Sequence, residues 1–339
     1  MCVSPKYVRR DYKIVDGEYI LLDKLQFYSF DNWNYLKSQS SEVVVNGITY
    51  GSQFFKLPCK QCIQCRLQNS RMWADRLVCE AQTSSSSYFI TLTYDDEHLP
   101  FGQPITDLHG NVLSPALPTL SKDDFRAFNK RLRRYFEYHF NVHNIRFYVG
   151  AEYGDKSARP HYHVIYFNLP IPDLVKYKNN FNGDVLFTSK ILEDIWGKGF
   201  VVIASMSWQS AAYVSRYVLK KRNGAMSLEK LGIENQWQLC SNKPGIGRDF
   251  YEKNKDKIYE NDELFIPGRG ATPPPSYFDR LYDADRTERM YVIKENRLRK
   301  AQFAEAHKLD NTDLSEPDYF EVIKSKLENI KKKLPRVLD

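Results

Sequence analysis

A chain of 339 residues with 42% hydrophobic and 14% aromatic side chains can bury a full core, which excludes a disordered protein and leaves room for one large domain or two ordinary ones. Lysine and arginine number 49 against 42 aspartate and glutamate, a formal charge of +7; that mild excess is compatible with a nucleic-acid partner without proving one. No apolar run approaches the ~18–20 residues of a membrane span and no signal-peptide core opens the chain, so a soluble, intracellular protein without a membrane partner is expected. Six cysteines are too few for a disulfide scaffold at this length, and three of them crowd together, which points to metal.

Residues 1–57 read as mixed strand and loop, with a hairpin over 43–50 because Asn46-Gly47 suits a type I′ turn. No role is assigned to 20–50. In Pro58-Cys59-Lys60-Gln61-Cys62-Ile63-Gln64-Cys65-Arg66, three thiols at two-residue gaps can wrap a structural zinc. Tetrahedral closure needs a fourth ligand, for which Cys2 is the best candidate; Cys79 lies well along the following helix and Cys240 is remote. A chance cluster or a redox site is the alternative. A helix is predicted over 65–82, and after four serines a strand over 88–94. Residues 102–118 form a Pro/Gly-punctuated loop with a hairpin at Gly110-Asn111. Ser121 with Asp124 resembles a capping box opening a helix to about His139, with Phe125, Phe128, Leu132 and Phe136 on one stripe. Its other faces carry Arg126, Lys130, Arg131, Arg133 and Arg134, either a DNA-phosphate surface or a solvated face.

Residues 145–153 and 160–167 read as strands joined by a short polar connection, hence as an antiparallel hairpin. Strand side chains alternate, so His161 and His163 point the same way, about 7 Å apart along the strand. Glu152 then lies beside them. One carboxylate and two imidazoles leave positions open for substrate oxygen and water, a set that suits Mg²⁺ or Mn²⁺. The bland alternative is two ordinary histidines and an ion pair of Glu152 with Arg159 or Lys156. Residues 170–187, with Pro170, Pro172 and Gly183, read as an insertion, followed by a helix over 188–196 and a strand over 199–204. Ser207 can cap a helix running to about Lys221. It carries Tyr213 and Tyr217 at i and i+4, with Lys220 and Lys221 a turn later. Such a pair is amphipathic packing in most helices; beside a metal, a phenol is a nucleophile for a phosphodiester and a lysine balances the phosphate's charge. Beyond a loop at 241–251, helices are expected over 276–282, over 284–309, and after Glu316-Pro317 with Phe320, Ile323, Leu327 and Ile330 at helical spacing. They form either a packing appendage or an arm for DNA or a partner.

His161-Tyr162-His163 is similar to the His-hydrophobic-His motif of the HUH endonucleases. Tyr213-x3-Tyr217-x2-Lys220-Lys221 is similar to the two-tyrosine motif of replication initiators, and Phe89-x-Thr91-Leu92-Thr93 resembles their first motif. Taken with Met1-Cys2-x2-Pro5, the Cys59/Cys62/Cys65 run, Glu152-Tyr153-Gly154 ahead of Arg159-Pro160, and Ser241-x2-Pro244-Gly245-Ile246-Gly247, residues 1 to about 285 resemble the rolling-circle replication initiators of gokushovirus-type microviruses, small single-stranded DNA phages. Each motif is weak alone; their order and joint presence are specific.

That resemblance implies an α/β (α+β) fold: an RRM-like catalytic core on a central antiparallel sheet with flanking helices, an N-terminal Cys-rich zinc knuckle and C-terminal helices. The corresponding segments are 1–82, 83–225 and 226–339. It implies an enzyme of the host bacterial cytoplasm that nicks single-stranded origin DNA, with Mg²⁺ or Mn²⁺ on Glu152, His161 and His163 and with Tyr213 or Tyr217 attacking. A 5′-phosphotyrosine would remain, a 3′-OH would serve the host polymerase, helicase partners would join, and the strand would be resealed after one round. An HUH transposase or relaxase shares this chemistry; a non-catalytic zinc-containing nucleic-acid-binding module is the rival of another class.

Overall fold

Two-residue turns organise the N-terminal part of the chain. In the computed structural model, which describes residues 5–154, 157–180, 183–216 and 228–333, Asp16-Gly17 and Asn46-Gly47 all take positive φ, between 52° and 81°, as type I′ turns require. They join β1 (Lys6–Val15) to β2 (Glu18–Tyr28) and β3 (Val43–Val45) to β4 (Ile48–Leu57), with helix α1 (Phe30–Gln39) between the hairpins. The strands form an antiparallel sheet of order β2-β1-β4-β3, so residues 20–50 supply much of a small domain. Trp33 of α1 anchors it: buried against Tyr7 and Phe54, it donates its indole N–H to Val8 O at 3.0 Å.

The chain divides into two compact units, one of residues 1–66 and 308–334 and one of 67–307 with 335–339. The three segments expected from the sequence remain a proposed division of labour. In the first unit the C-terminal helix, Glu316–Lys333, places Glu316 against Lys56 and Lys308 and buries Phe320.

The second unit is built on a seven-stranded antiparallel sheet. Helix α2 (Ile63–Gln82) leads into β5 (Ser87–Thr93); a small hairpin, β6 (Ile105–Thr106) and β7 (Val112–Ser114), precedes α3 (Lys122–Phe140). Then follow β8 (Arg146–Tyr153), β9 (Pro160–Phe167), β10 (Val175–Asn179), β11 (Val185–Thr188), α4 (Lys190–Trp196), β12 (Val201–Ser205), α5 (Trp208–Ser215) and β13 (Trp237–Cys240). The order is β10-β11-β12-β5-β9-β8-β13. Helix α6 (Arg248–Asn261), a hairpin of β14 (Leu264–Ile266) and β15 (Gly270–Thr272), α7 (Ser276–Asp285) and α8 (Thr287–Ala306) complete it; the C-terminal helix is α9.

Strand alternation sends side chains to two apolar layers. Ile90, Leu92, Val149, Tyr162, Val164 and Tyr166 meet Phe125, Phe128, Leu132 and Phe136 of α3 and Trp196 of α4. On the other face, Phe89, Tyr148, Ile165 and Phe167 meet α2, α5, α6 and α7. The antiparallel sheet with flanking helices is the expected class. Three local readings change. The 170–187 insertion is a hairpin extending the sheet; its outer strand, exposed and carrying Lys176 and Lys178, has the charged character of a protected edge. β13 was not read as a strand at all. Ser121 does cap α3, accepting from the Asp124 N–H at 3.1 Å, but the Asp124 carboxylate receives the Tyr94 hydroxyl at 2.8 Å.

The 241–247 segment is held by a buried ion pair. Glu80 of α2 meets Arg146 of β8 and accepts the Gly247 N–H at 2.6 Å, while Arg146 also donates to Pro244 O at 2.9 Å. Gly247 needs to be glycine here: its φ is 81°, and a Cβ would stand 3.2 Å from the Phe278 ring. Replacing one member of a buried pair strands the other charge. Glu80→Ala should therefore cost about 3–5 kcal/mol in a urea-unfolding experiment, and a loss below about 1 kcal/mol would show that the pair does not hold this loop.

Candidate active site

The β8–β9 register places Glu152 opposite His161, and the β5–β9 register places Thr91 opposite His163. Glu152, His161 and His163 consequently emerge on one sheet face, with one ligand atom of each within 4.8 Å of the others. Glu152 Oε1 lies 2.9 Å from His161 Nε2 and 3.2 Å from His163 Nε2. Glu152 and His163 are each only 3% exposed. The Arg159 guanidinium goes elsewhere, to Asp96 Oδ1 at 2.6 Å and Tyr94 O at 3.0 Å, so it does not form the ordinary ion pair with Glu152. Lys156 lies outside the described residues.

The second ring nitrogens fix what this cluster needs. His161 Nδ1 lies 3.1 Å from Arg159 O; a carbonyl only accepts, so Nδ1 carries the proton in this network. In a neutral ring the Nε2 lone pair would then aim at a carboxylate oxygen. A positive charge has to sit between them, either a ring proton or a metal ion, and orientation of a ligating histidine through its other nitrogen is how metal sites are built. His163 Nδ1 is similarly held, 3.0 Å from Thr91 Oγ1, and its ring stacks on Phe89 at 5.4 Å. Burial alone would push the Glu152 carboxyl up, but the His161 and His163 hydrogen bonds and charges hold it well below the usual carboxylate range. It stays ionised, as a ligand must.

Helix α5 brings a phenol to this cluster. Ser207 and Ser210 cap it reciprocally, Trp208 donates its indole N–H to the buried Asp75 at 3.1 Å, and Ser70 reaches Ala212 O at 3.4 Å. Tyr213 then packs edge-on against His163, ring centres 5.2 Å apart, and its hydroxyl points to Glu152 Oε1 at 3.5 Å. Tyr217, Lys220 and Lys221 lie outside the described residues. Thr91 and Phe89, which orient and support His163, were visible beforehand only as part of a strand motif; strand alternation through Thr91-Leu92-Thr93 was the signal for their facing.

The basic residues of α3 are placed differently. α3 covers the sheet face opposite the histidines. Arg131 donates to Ile195 O at 2.8 Å and Trp196 O at 3.2 Å, satisfying the end of α4, and the Arg133 guanidinium lies over the Phe147 ring. Arg126 pairs with Asp123, and Lys130 and Arg134 are exposed. The five cations thus do not form one phosphate-facing stripe beside the cluster: two of them do packing work.

In the first unit, Cys59, Cys62 and Cys65 bring their sulfurs within 4.8 Å of one another. The turn between the first two is fixed by a positive φ at Lys60, and Cys59 Sγ accepts the Gln61 and Cys62 N–H groups at 3.4 and 3.1 Å. Amide donors to sulfur favour thiolate, and three thiolates on a knuckle suit zinc. Cys2 lies outside the described residues. Cys79 is buried in the core, where burial pushes its thiol up and leaves it unsuited to a metal.

A family model for replication-associated proteins of the ORF2 type matches residues 87–222, a span that holds Glu152, His161, His163 and Tyr213 together with Tyr217, Lys220 and Lys221. The chain is 34% identical over 288 residues to the Replication-associated protein ORF2 of Spiroplasma virus 4, across 83% of this chain and 85% of that one. It is 31% identical over 257 residues to the Replication-associated protein VP4 of Bdellovibrio phage phiMH2K, across 74% and 75%. It is 28% identical over 266 residues to the Replication-associated protein ORF4 of Chlamydia phage 1, across 77% and 60%. No solved structure matches. The chain belongs to this family, the replication-associated proteins of small single-stranded DNA phages. Among the described residues no helix is long and apolar enough to cross a membrane.

Protein purified without chelator is expected to carry about one zinc per chain by elemental analysis. Cys62→Ser should lower the melting temperature by several degrees and leave any cleavage step at a permissive temperature unchanged. A metal-free preparation that melts like wild type would exclude the structural ion.

Proposed function

We propose that the protein is a rolling-circle replication initiator that nicks single-stranded origin DNA by tyrosine attack and later reseals it. The observation that carries this reading is the Tyr213 hydroxyl, 3.5 Å from Glu152 Oε1 in a cluster completed by His161 and His163. A nucleophile and three ligands for a hard cation converge there on one rigid sheet face, which is what phosphodiester transfer needs. The family membership and the printed names of the relatives support the replication role.

Glu152, His161 and His163 would hold Mg²⁺ or Mn²⁺, which when bound polarises the scissile phosphate and draws charge from the phosphoryl oxygens. Tyr213 Oη gives up its proton and bonds to phosphorus; the bond from phosphorus to the 3′ oxygen breaks, and that oxygen leaves as the 3′-OH. The 5′ end stays on the enzyme as a phosphotyrosine. Because that ester keeps the energy of the broken bond, attack by a 3′-OH reseals the strand without ATP. Thr91 and Arg159 O hold the two imidazoles in the orientation that ligation needs.

Ending a round requires a second cleavage while the first adduct persists, and Tyr217, one helical turn or about 6 Å beyond Tyr213 in a continuous helix, would provide it, with Lys220 and Lys221 balancing charge on the leaving oxygen. Host polymerase would extend the 3′-OH and a host helicase would open the duplex, in the bacterial cytoplasm. The exposed cations of α3, Lys130 and Arg134, lie on the far sheet face and would touch only DNA flanking the reaction.

His163→Ala should abolish metal-dependent nicking of origin-derived single strands while the circular dichroism spectrum stays native. Tyr213→Phe should retain reduced nicking through Tyr217, and the double change to Phe should have none. Full activity of His163→Ala would remove this cluster from the chemistry, and nicking by the double Phe variant would remove the tyrosines.

A further inference from the structure

Helix α2 does more than pack. Asn69, Met72, Trp73 and Arg76 fall at i, i+3, i+4 and i+7, one helix face, and that face fronts an open cavity of about 200 Å³ whose far wall is Pro275, Ser276, Tyr277 and Arg280 at the start of α7. Arg76 is clamped between two aromatic rings, its guanidinium carbon 4.2 Å from the Trp73 centroid and 4.0 Å from that of Tyr277. It donates Nε and one terminal nitrogen to Ile246 O, at 3.2 and 2.9 Å, which leaves part of its five-donor fork unused.

The charge pattern is what makes this cavity unusual. Arg146, Arg159, Arg248, Arg269 and Arg297 of the same unit all pair with carboxylates. Arg76 does not: the charges acting on it come from Tyr277, Cys240, Tyr148 and the like-charged Arg280. Arg280, at the cavity mouth, is exposed and makes no hydrogen bond or ion pair among the described residues. Two guanidiniums facing one hollow without an acid between them repel each other, and an anion is the group that relieves it. Arginine forks match phosphate geometry, and flanking aromatic rings are the platform on which unpaired bases stack.

Size and position narrow the ligand. Free small ligands usually occupy 300–1,000 Å³, so about 200 Å³ in an open groove suits one nucleotide of a strand passing through. Trp73 packs on Tyr148, ring centres 5.0 Å apart. Tyr148 lies four residues before Glu152 on the same face of β8, about 14 Å away at the rise of an extended strand. A single strand crossing the metal cluster can therefore reach the groove.

We propose that the α2–α7 groove is a non-catalytic subsite for single-stranded DNA, binding a backbone phosphate between Arg76 and Arg280 and stacking a base on Trp73 or Tyr277. Its link to a nucleotide flanking the nick rests on the nicking function proposed above; the binding itself does not. It also gives a use to the Pro244-Gly245-Ile246-Gly247 turn, whose Ile246 carbonyl positions Arg76 and whose Gly245 leaves room for Tyr277, since a Cβ there would fall 2.5 Å from the Tyr277 hydroxyl.

The test measures binding of a fluorescent single-stranded oligonucleotide to the full chain, without added divalent metal, for wild type, Arg280→Glu and a control reversal, Lys257→Glu, on the exposed face of α6. Neither residue supports the fold, so all three should melt alike. Arg280→Glu should weaken binding about tenfold and flatten the slope of log affinity against log salt by about 0.7, one phosphate's share on a single strand; Lys257→Glu should change the slope far less. Photocrosslinking with 5-iodouracil-substituted strands should mark Trp73 or Tyr277. A loss no larger in Arg280→Glu than in the control, or crosslinks confined to other segments, would overturn the subsite. Because no step depends on cleavage, a failed nicking assay leaves this result readable on its own.

Discussion

The antiparallel register of β8 on β9 is the constraint on which the site depends. It sets Glu152 across from His161 and, by alternation, puts His163 on the same face. A slip of one residue would send His161 and His163 into the aromatic layer under α3 and bring Tyr162 to the surface of the site. That slip is opposed from both sides. Tyr162 is held in its layer by Tyr94 Oη at 2.8 Å and by Ser121 O at 2.8 Å, while Ile165 and Phe167 fill the core beneath α2 and α5. The cost of burying a carboxylate and an imidazole at 3% exposure is met only in the register that lets them face each other.

Helix α2 is the second organising element. Along one helix it carries Asp75, which takes the Trp208 indole and Arg269, Glu80, which takes Arg146 and the Gly247 amide, and Arg76, which takes the Ile246 carbonyl. It thereby fixes the start of α5, and with it Tyr213, as well as the 241–247 turn and the groove beside α7. The buried acids of α2 tie down the parts of the site that the sheet alone would leave loose.

Much of the centre was legible in the sequence because its signals are local. A period of two in His161-Tyr162-His163 gives facing, a short polar link gives the hairpin and hence Glu152, and Ser207 gives the start of α5. What stayed hidden depends on tertiary context. Which side of the sheet α3 covers cannot be read from its stripe, and so neither could the packing roles of Arg131 and Arg133. The β10–β11 hairpin was masked by Pro170, Pro172 and Gly183 and by an outer strand with no buried face. β13 is four residues long, too short for alternation to register. Residues 20–50 lack any motif, yet they build half of a sheet through turn chemistry and one buried tryptophan.

The central claim is that a phenol on α5 becomes covalently joined to DNA at the Glu152, His161 and His163 cluster. The most direct test is to react the protein with an origin-derived single strand and Mn²⁺, digest the product, and sequence the DNA-linked peptide by mass spectrometry. A phosphodiester-linked nucleotide on Tyr213, or on Tyr217 of the same peptide, is the predicted result. Cleavage that leaves no DNA on the protein, or an adduct on a residue outside 208–221, would contradict it.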